Sequence, residues 1–257
     1  MRYIALVLLL IMAPLPAHAR CAGYHENLLT PLLVAGTGMI VLEVGGFHSA
    51  LAADVLELRA ANGKSIPIEL RATHGGVHQR QLVVVPKSPL APGRYMLRRI
   101  AKDEHRHEAH EVVVLSLADA TRQWPATCSA KGCDAITPVI GQSQSQREEL
   151  GCGPAESIDV QIGNRDEWLR PSSTAAKKLA FVTLTDVASK QTQSGFADVV
   201  PAGESENGAT IGIGHGMCSG EFNVATDARY DATISIVGPD GVLGPSSSLE
   251  LSYQPSK

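Results

Sequence analysis

Aromatic residues are scarce in this chain: Phe, Trp and Tyr together make up 4% of its 257 residues. Surfaces that stack sugars or nucleobases need several exposed rings, so the shortage argues against both classes of ligand. No stripe of Lys and Arg occurs, which argues against nucleic acid or an anionic membrane as partner. The sequence lacks Gly-x-Ser-x-Gly, His-Glu-x-x-His and a phosphate-binding loop, so no familiar catalytic motif offers itself. Long apolar runs are missing too. The run Ile4 to Met12 stops at Pro14 and Pro16, short of the ~20 residues a membrane helix requires, so no membrane span is expected.

That short run has a different use. Arg2 supplies a positive start, the apolar stretch comes next, and Ala17-His18-Ala19 offers the small–x–small pattern of a signal-peptidase site. Residues 1–19 are therefore expected to be a signal peptide, with cleavage after Ala19 or after Ala17. The protein is then exported, to the periplasm or outside the cell. Removing 1–19 takes away one basic residue, leaving 21 basic and 26 acidic residues and a net charge of −5.

Five cysteines in an exported chain point to disulfides with one thiol left over. Cys128 and Cys133 are close enough for a local loop, and Cys152 and Cys218 remain for a long-range bridge. Cys21 is the odd one. Cys-x4-Cys without a second close pair is poor spacing for zinc.

Period-2 patterns dominate the rest of the chain. Leu56 and Leu58 alternate with Glu57 and Arg59, Asn62-Gly63 makes a hairpin turn, and Ile66, Ile68 and Leu70 continue the alternation. Leu82 to Val85, Tyr95 to Ile100 and Val112 to Leu117 complete the first half. The second half repeats the style at Ile158–Ile162, Leu179–Val187, Phe196–Val200, Ile211–Ile213, Phe222–Val224, Tyr230–Val237 and Leu249–Tyr253, with a turn at Gly238-Pro239-Asp240-Gly241. The expected fold is all-β: two antiparallel Ig-like β-sandwiches in tandem, at 20–118 and 127–257. Residues 119–126 are expected to link them, and the Gln-Ser alternation at 142–146 is expected as loop or edge strand.

Residues 179–253, ending in YDATISIVGPDGVLGPSSSLELSY, resemble the later strands of a fibronectin type III or Ig-like domain. Residues 81–117, QLVVVPKSPLAPGRYMLRRIAKDEHRHEAHEVVVLSL, resemble the C-terminal half of the periplasmic copper-resistance CopC family. Members of that family run a Pro-Leu-x-x-Gly-x-Tyr turn into a strand, then Asp-x-His, then a last strand. The resemblance implies Asp103 and His105 as copper ligands, completed by the amine and imidazole of an N-terminal His. Cleavage after Ala17 would make His18 that residue, whereas cleavage after Ala19 removes it. Exported Ig-like domains share the same turn without binding metal.

The residues themselves allow such a site. In an extended chain Asp103, His105 and His107 point to one face, and a carboxylate with imidazoles suits Cu(II) or Zn(II). The plainer reading of 102–110 is a solvated hairpin end. His74 and His78 flank a Gly-Gly turn and read as a polar loop, or as the source of a fourth ligand if that loop faces 103–107. His215, three residues before Cys218, invites a Cys–His nucleophile, but export favours a disulfide for that cysteine. Trp124 and Trp168 are lone rings expected to pack at domain edges. The sequence thus points to a non-enzymatic exported binding or scaffold protein with an unidentified protein or envelope partner. A copper-binding protein is the alternative.

Overall fold

The computed structural model describes residues 25–45, 55–75, 79–100, 109–125, 127–150, 153–163, 178–201, 208–215 and 220–255. The first half holds strands β1 (His25–Leu28), β2 (Leu32–Val34), β3 (Ile40–Gly45), β4 (Val55–Ala60), β5 (Ser65–Ile66), β6 (Ile68–His74), β7 (Gln79–Pro86), β8 (Gly93–Ile100) and β9 (Ala109–Leu115). They form two sheets, in the orders β1-β3-β7-β6 and β2-β9-β8-β4-β5. Those orders match A-B-E-D and G-F-C of the immunoglobulin sandwich, with the first strand divided between the sheets. All pairings are antiparallel except β2 with β9. Ile40, Leu42, Leu82 and Val84 from one sheet meet Leu58, Leu97, Val112 and Val114 from the other in the core.

The Asn62-Gly63 turn appears as expected, with Gly63 at φ +82° and the Lys64 N–H donating to Asn62 Oδ1. The Pro-Leu-Ala-Pro-Gly turn leads into β8, where the Tyr95 hydroxyl donates to Ala91 O at 2.8 Å. Such a tyrosine corner, near the start of the sixth strand, is a hallmark of Ig-like sandwiches.

Residues 119–126, expected as a link, belong largely to a helix, α1 (Leu117–Gln123). Ser116 caps it by accepting from the Asp119 N–H, and Asp119 pairs in turn with Arg122. Ala120 and Trp124 pack against Val34 and Cys128. The connection is therefore a built element and not a loose tether. It runs into the small hairpin β10 (Cys128–Ser129) and β11 (Gly132–Cys133), closed by the Cys128–Cys133 disulfide.

The second sandwich contains β12 (Ile140–Leu150), β13 (Gly153–Ile162), β14 (Leu179–Asp186), β15 (Thr192–Pro201), β16 (Ala209–His215), β17 (Arg229–Val237) and β18 (Leu243–Ser252). The order is β12-β13-β16-β15-β14-β17-β18. Strand β15 serves two neighbours: Thr192 to Asp198 pair with β14, and Val199 to Pro201 pair with β16. This switch folds the ribbon into two facing layers. The outer strands then approach each other, with Ser145 Oγ donating to Ser252 O and Tyr253 OH to Gln146 O. Residues 142–146 lie on the edge strand β12, as expected. Phe222 and Val224 fill the core from a non-strand segment, not from the strand the pattern suggested. At the start of β17, Tyr230 OH accepts from the Ala225 N–H at 2.8 Å, the counterpart of Tyr95.

Candidate functional site

Strands β3 and β7 are buried on both faces. Alternate residues Leu82 and Val84 enter the first core, while Val83 and its cross-strand partner Val41 turn outward to Leu179 and Phe196 of the second sandwich. Period-2 geometry explains the unbroken apolar run at 82–85: both faces of the strand meet protein.

A polar row lies beside this apolar patch. The sheet register puts Glu43, Gln81 and His74 opposite one another on β3, β7 and β6. Gln81 is fully buried, and its amide satisfies both backbone groups of Phe196: Nε2 donates to Phe196 O at 2.7 Å, and Oε1 accepts from the Phe196 N–H at 2.6 Å. Gln79 and Gln81 both donate to Glu221 Oε1, at 2.8 and 3.0 Å. His74 Nδ1 sits 2.8 Å from Ser194 Oγ, with its ring edge-on to Phe181 and Phe196. Burial holds the His74 imidazole below its usual range, which favours the neutral ring. His74 is thus a residue of the seam between sandwiches, not of a polar loop.

Two further contacts close the seam. The 238–241 turn docks on the first sandwich through Val34 N–H to Pro239 O at 2.9 Å and Met39 N–H to Gly241 O at 3.1 Å. Glycine is needed there: a Cβ on Gly38 would lie 1.9 Å from Asp240 O, and Gly241 adopts φ +70°. Near the helix, Lys178 lines a small cavity of about 30 Å³ with Thr30, Trp124, Ile136 and Pro239. Burial lowers the Lys178 ammonium to about 8.

An open groove of about 450 Å³ runs from the seam along the second sandwich. Gln79 and Glu221 stand at its seam end, with Glu148, Glu156 and His215 along its walls and Gly212 and Gly214 on its lining. His215 Nε2 lies 3.6 Å from Glu156 Oε2, and Arg147 pairs with Glu156 at 3.2 Å.

A second polar centre flanks residues 101–108. The Glu26 carboxylate is fully buried, accepting from Arg99 Nε at 2.7 Å and lying 3.0 Å from His110 Nε2. Arg99 stands near the end of β8, before that stretch, and His110 near the start of β9, after it.

The expected ligands His18, Asp103, His105 and His107, and the cysteines Cys21, Cys152 and Cys218, lie outside the described residues, as do His78 and Trp168. Cys128 and Cys133 are bonded as expected, and Trp124 packs beside the helix. Among the described residues, no three His, Cys, Asp or Glu side chains are grouped to hold a metal ion. Nor is any described helix long and apolar enough to cross a membrane. Sequence reasoning missed Glu26, Gln81 and Glu221, because their partners are distant in the chain.

No protein-family profile matches this chain, and no curated protein matches it. Among solved structures, pullulanase from Anoxybacillus sp. LM18-11 aligns at 9% identity over 86% of this chain, with a TM-score of 0.27. The chain spans 24% of that enzyme's length. A titin fragment, Titin-A168169, aligns at 10% identity over 91% of this chain and 98% of its own, with a TM-score of 0.22. The titin domains z1z2 in complex with telethonin align at 11% identity over 92% and 100%, again at 0.22. Strand order and the Tyr95 and Tyr230 contacts give the chain an all-β fold of two Ig-like sandwiches.

Proposed function

We propose that this chain is an exported, non-enzymatic binding or scaffold protein of the bacterial envelope or extracellular space, presenting two Ig-like sandwiches as one stiff unit. The supporting observation is the seam. Domains in one chain move relative to each other unless their interface is extensive and apolar, and here β3 and β7 are covered on both faces. A stiff tandem holds the groove and the loop ends in fixed relation, which lowers the ordering cost of engaging a partner. The three-plus-four grouping of β12-β13-β16 and β15-β14-β17-β18 suits the fibronectin type III resemblance of the second half.

Cell fractionation with N-terminal sequencing tests export. Recovery of the chain outside the cytoplasm, beginning at His18 or Arg20, is expected; an uncleaved cytoplasmic chain would sink the proposal. Photocrosslinkers at Gln146 and Ser157 in the groove, with Ser248 on β18 as control, test binding. Groove positions that capture no more than the control would rule the groove out as the binding surface.

Copper binding of CopC type is the second reading, and Glu26 is what favours it. By holding Arg99 and His110, Glu26 joins the first strand to both flanks of 101–108. Strand β1 is thereby tied to Arg99 and His110, the residues that come before and after the stretch of sequence carrying Asp103, His105 and His107. An amine, imidazoles and a carboxylate would favour Cu(II) over other divalent ions, and affinity would fall below the ordinary imidazole pKa of about 6.5. A Cu(II) titration against a competing chelator, with His105→Ala and His48→Ala alongside, decides it. Loss confined to His105→Ala is expected. Micromolar or weaker binding, indifferent to His105, ends the copper reading.

A further inference from the structure

We propose that the carboxyl pair Glu43–Glu221, cradled by the Gln79 and Gln81 amides, is a proton-operated latch between the two sandwiches. The seam closes firmly when the pair holds one proton and loosens when that proton leaves. The latch belongs to the seam alone and is independent of export, of any partner and of copper.

Geometry carries it. Glu43 and Gln81 are direct cross-strand neighbours on the face of the first sandwich that meets the second. Glu221 belongs to the second sandwich and takes both glutamine amides on a single oxygen, Oε1. Glu43, the cross-strand neighbour of Gln81, lies near enough to act on the same carboxyl group by its charge. Two carboxyl groups can hydrogen-bond to each other only if one of them is protonated, because each ionised group is an acceptor only. Gly195 leaves room for this convergence: a Cβ there would lie 3.0 Å from Glu221 Cβ and 3.1 Å from Gln81 Oε1.

The surroundings favour the proton. Burial pushes the Glu221 carboxyl up to about 8, and the charges of Glu43 and Asp198 push in the same direction. The groups facing it are Glu43 from β3, the two amides from β7 and Asp198 from β15. His25 on β1 lies 3.9 Å from Glu43, His74 on β6 is engaged with Ser194, and His215 and Glu156 share the groove. Because the folded value lies above the ordinary 4.5, the stabilisation is complete below about 4.5 and is lost as pH rises through about 8. Losing the proton leaves two like charges near one another in a partly dry seam, where repulsion and burial penalise both. The latch therefore opens toward alkaline pH.

The Phe196 amide reports on the latch, since it donates to Gln81 inside the seam. Hydrogen exchange of that amide in the full chain, at pH 6 and pH 9 and corrected for intrinsic base catalysis, is the measurement. Wild type should show at least about a tenfold excess at pH 9, the effect of one pKa unit of linkage. Glu221→Gln, neutral at both pH values, should abolish the excess, while Glu69→Gln, at an exposed position of β6, should keep it. A seam residue with a merely structural role would raise exchange equally at both pH values. No excess in wild type, or a full excess in Glu221→Gln, overturns the latch. If Glu221→Gln does not fold, Glu43→Gln takes its place, and an undiminished excess there overturns the proposal equally.

Discussion

Gln81 and Phe196, 115 residues apart, bond as though they were paired strand residues: one side-chain amide satisfies both the N–H and the C=O of one backbone position. A fully buried amide of this kind specifies where the two sandwiches meet, because any sliding leaves donor and acceptor unpaired in a dry site. Gln81→Ala orphans the Phe196 groups and removes one of two amides from Glu221. A loss of roughly 1–3 kcal/mol is expected, the usual cost of unsatisfied buried polar groups. Urea denaturation of the full chain measures it. A change of a few tenths would mean that water replaces the lost amide.

The same seam governs whether the halves can be separated. Residues 25–118 alone would expose Leu29, Val41 and Val83 and leave Gln81 without its partner. The full chain is expected to melt in one transition, and the isolated first half well below it. Two resolved calorimetric transitions in the full chain would show the seam to be weak.

Within the first sandwich the sensitive position is Glu26. Removing one partner of a buried ion pair costs roughly 3–5 kcal/mol, since the remaining charge stays in the interior. Glu26→Ala should lower stability in that direction, because it removes a fully buried carboxylate that both Arg99 and His110 engage. Adding Arg99→Met should restore most of the stability, because an apolar chain tolerates the site. A double variant as unstable as Glu26→Ala would argue that the bond to His110 matters more.

Two groups at the seam give the stability curve its shape at high pH. Glu221 withdraws stability as pH rises to about 8. Lys178 has a folded value of about 8, below the ordinary 10.5, so its contribution is full above 10.5 and lost as pH falls through about 8. Melting temperature is therefore expected to pass through a minimum near pH 8, within the range set by other groups. Lys178→Met should remove the alkaline recovery, and a recovery that survives it would assign the effect elsewhere.

The β13–β16 register bears on the remaining cysteines. It sets Glu156 opposite His215, and Cys152 lies four residues before the one and Cys218 three after the other. Non-reducing peptide mapping should find Cys152–Cys218 together with Cys128–Cys133. A bridge closing so long a loop is worth roughly 4 kcal/mol on the loop-entropy account. Cys21 joined to any of these four would overturn the assignment.

Much of the architecture is legible in the sequence. Alternation at 56–59, the Asn62-Gly63 turn, the Pro-rich approach to Tyr95 and the 238–241 turn each act over a few residues, so local sequence determines them. The helix at 117–123 carries a local signal too, Ser116 followed three residues later by Asp119, but so short a helix shows little periodicity and resembles a link. The seam is not legible. Val83 and Gln81 announce only that the outward face of β7 is unusual for a solvated strand; what covers that face comes from residues about a hundred or more positions away. The sequence by itself determined two β-sandwiches and their turns, because strand period and turn chemistry are local. Only the tertiary structure decided that they share one seam and that Glu43 meets Glu221 there, because which buried faces meet depends on the packing of the whole chain.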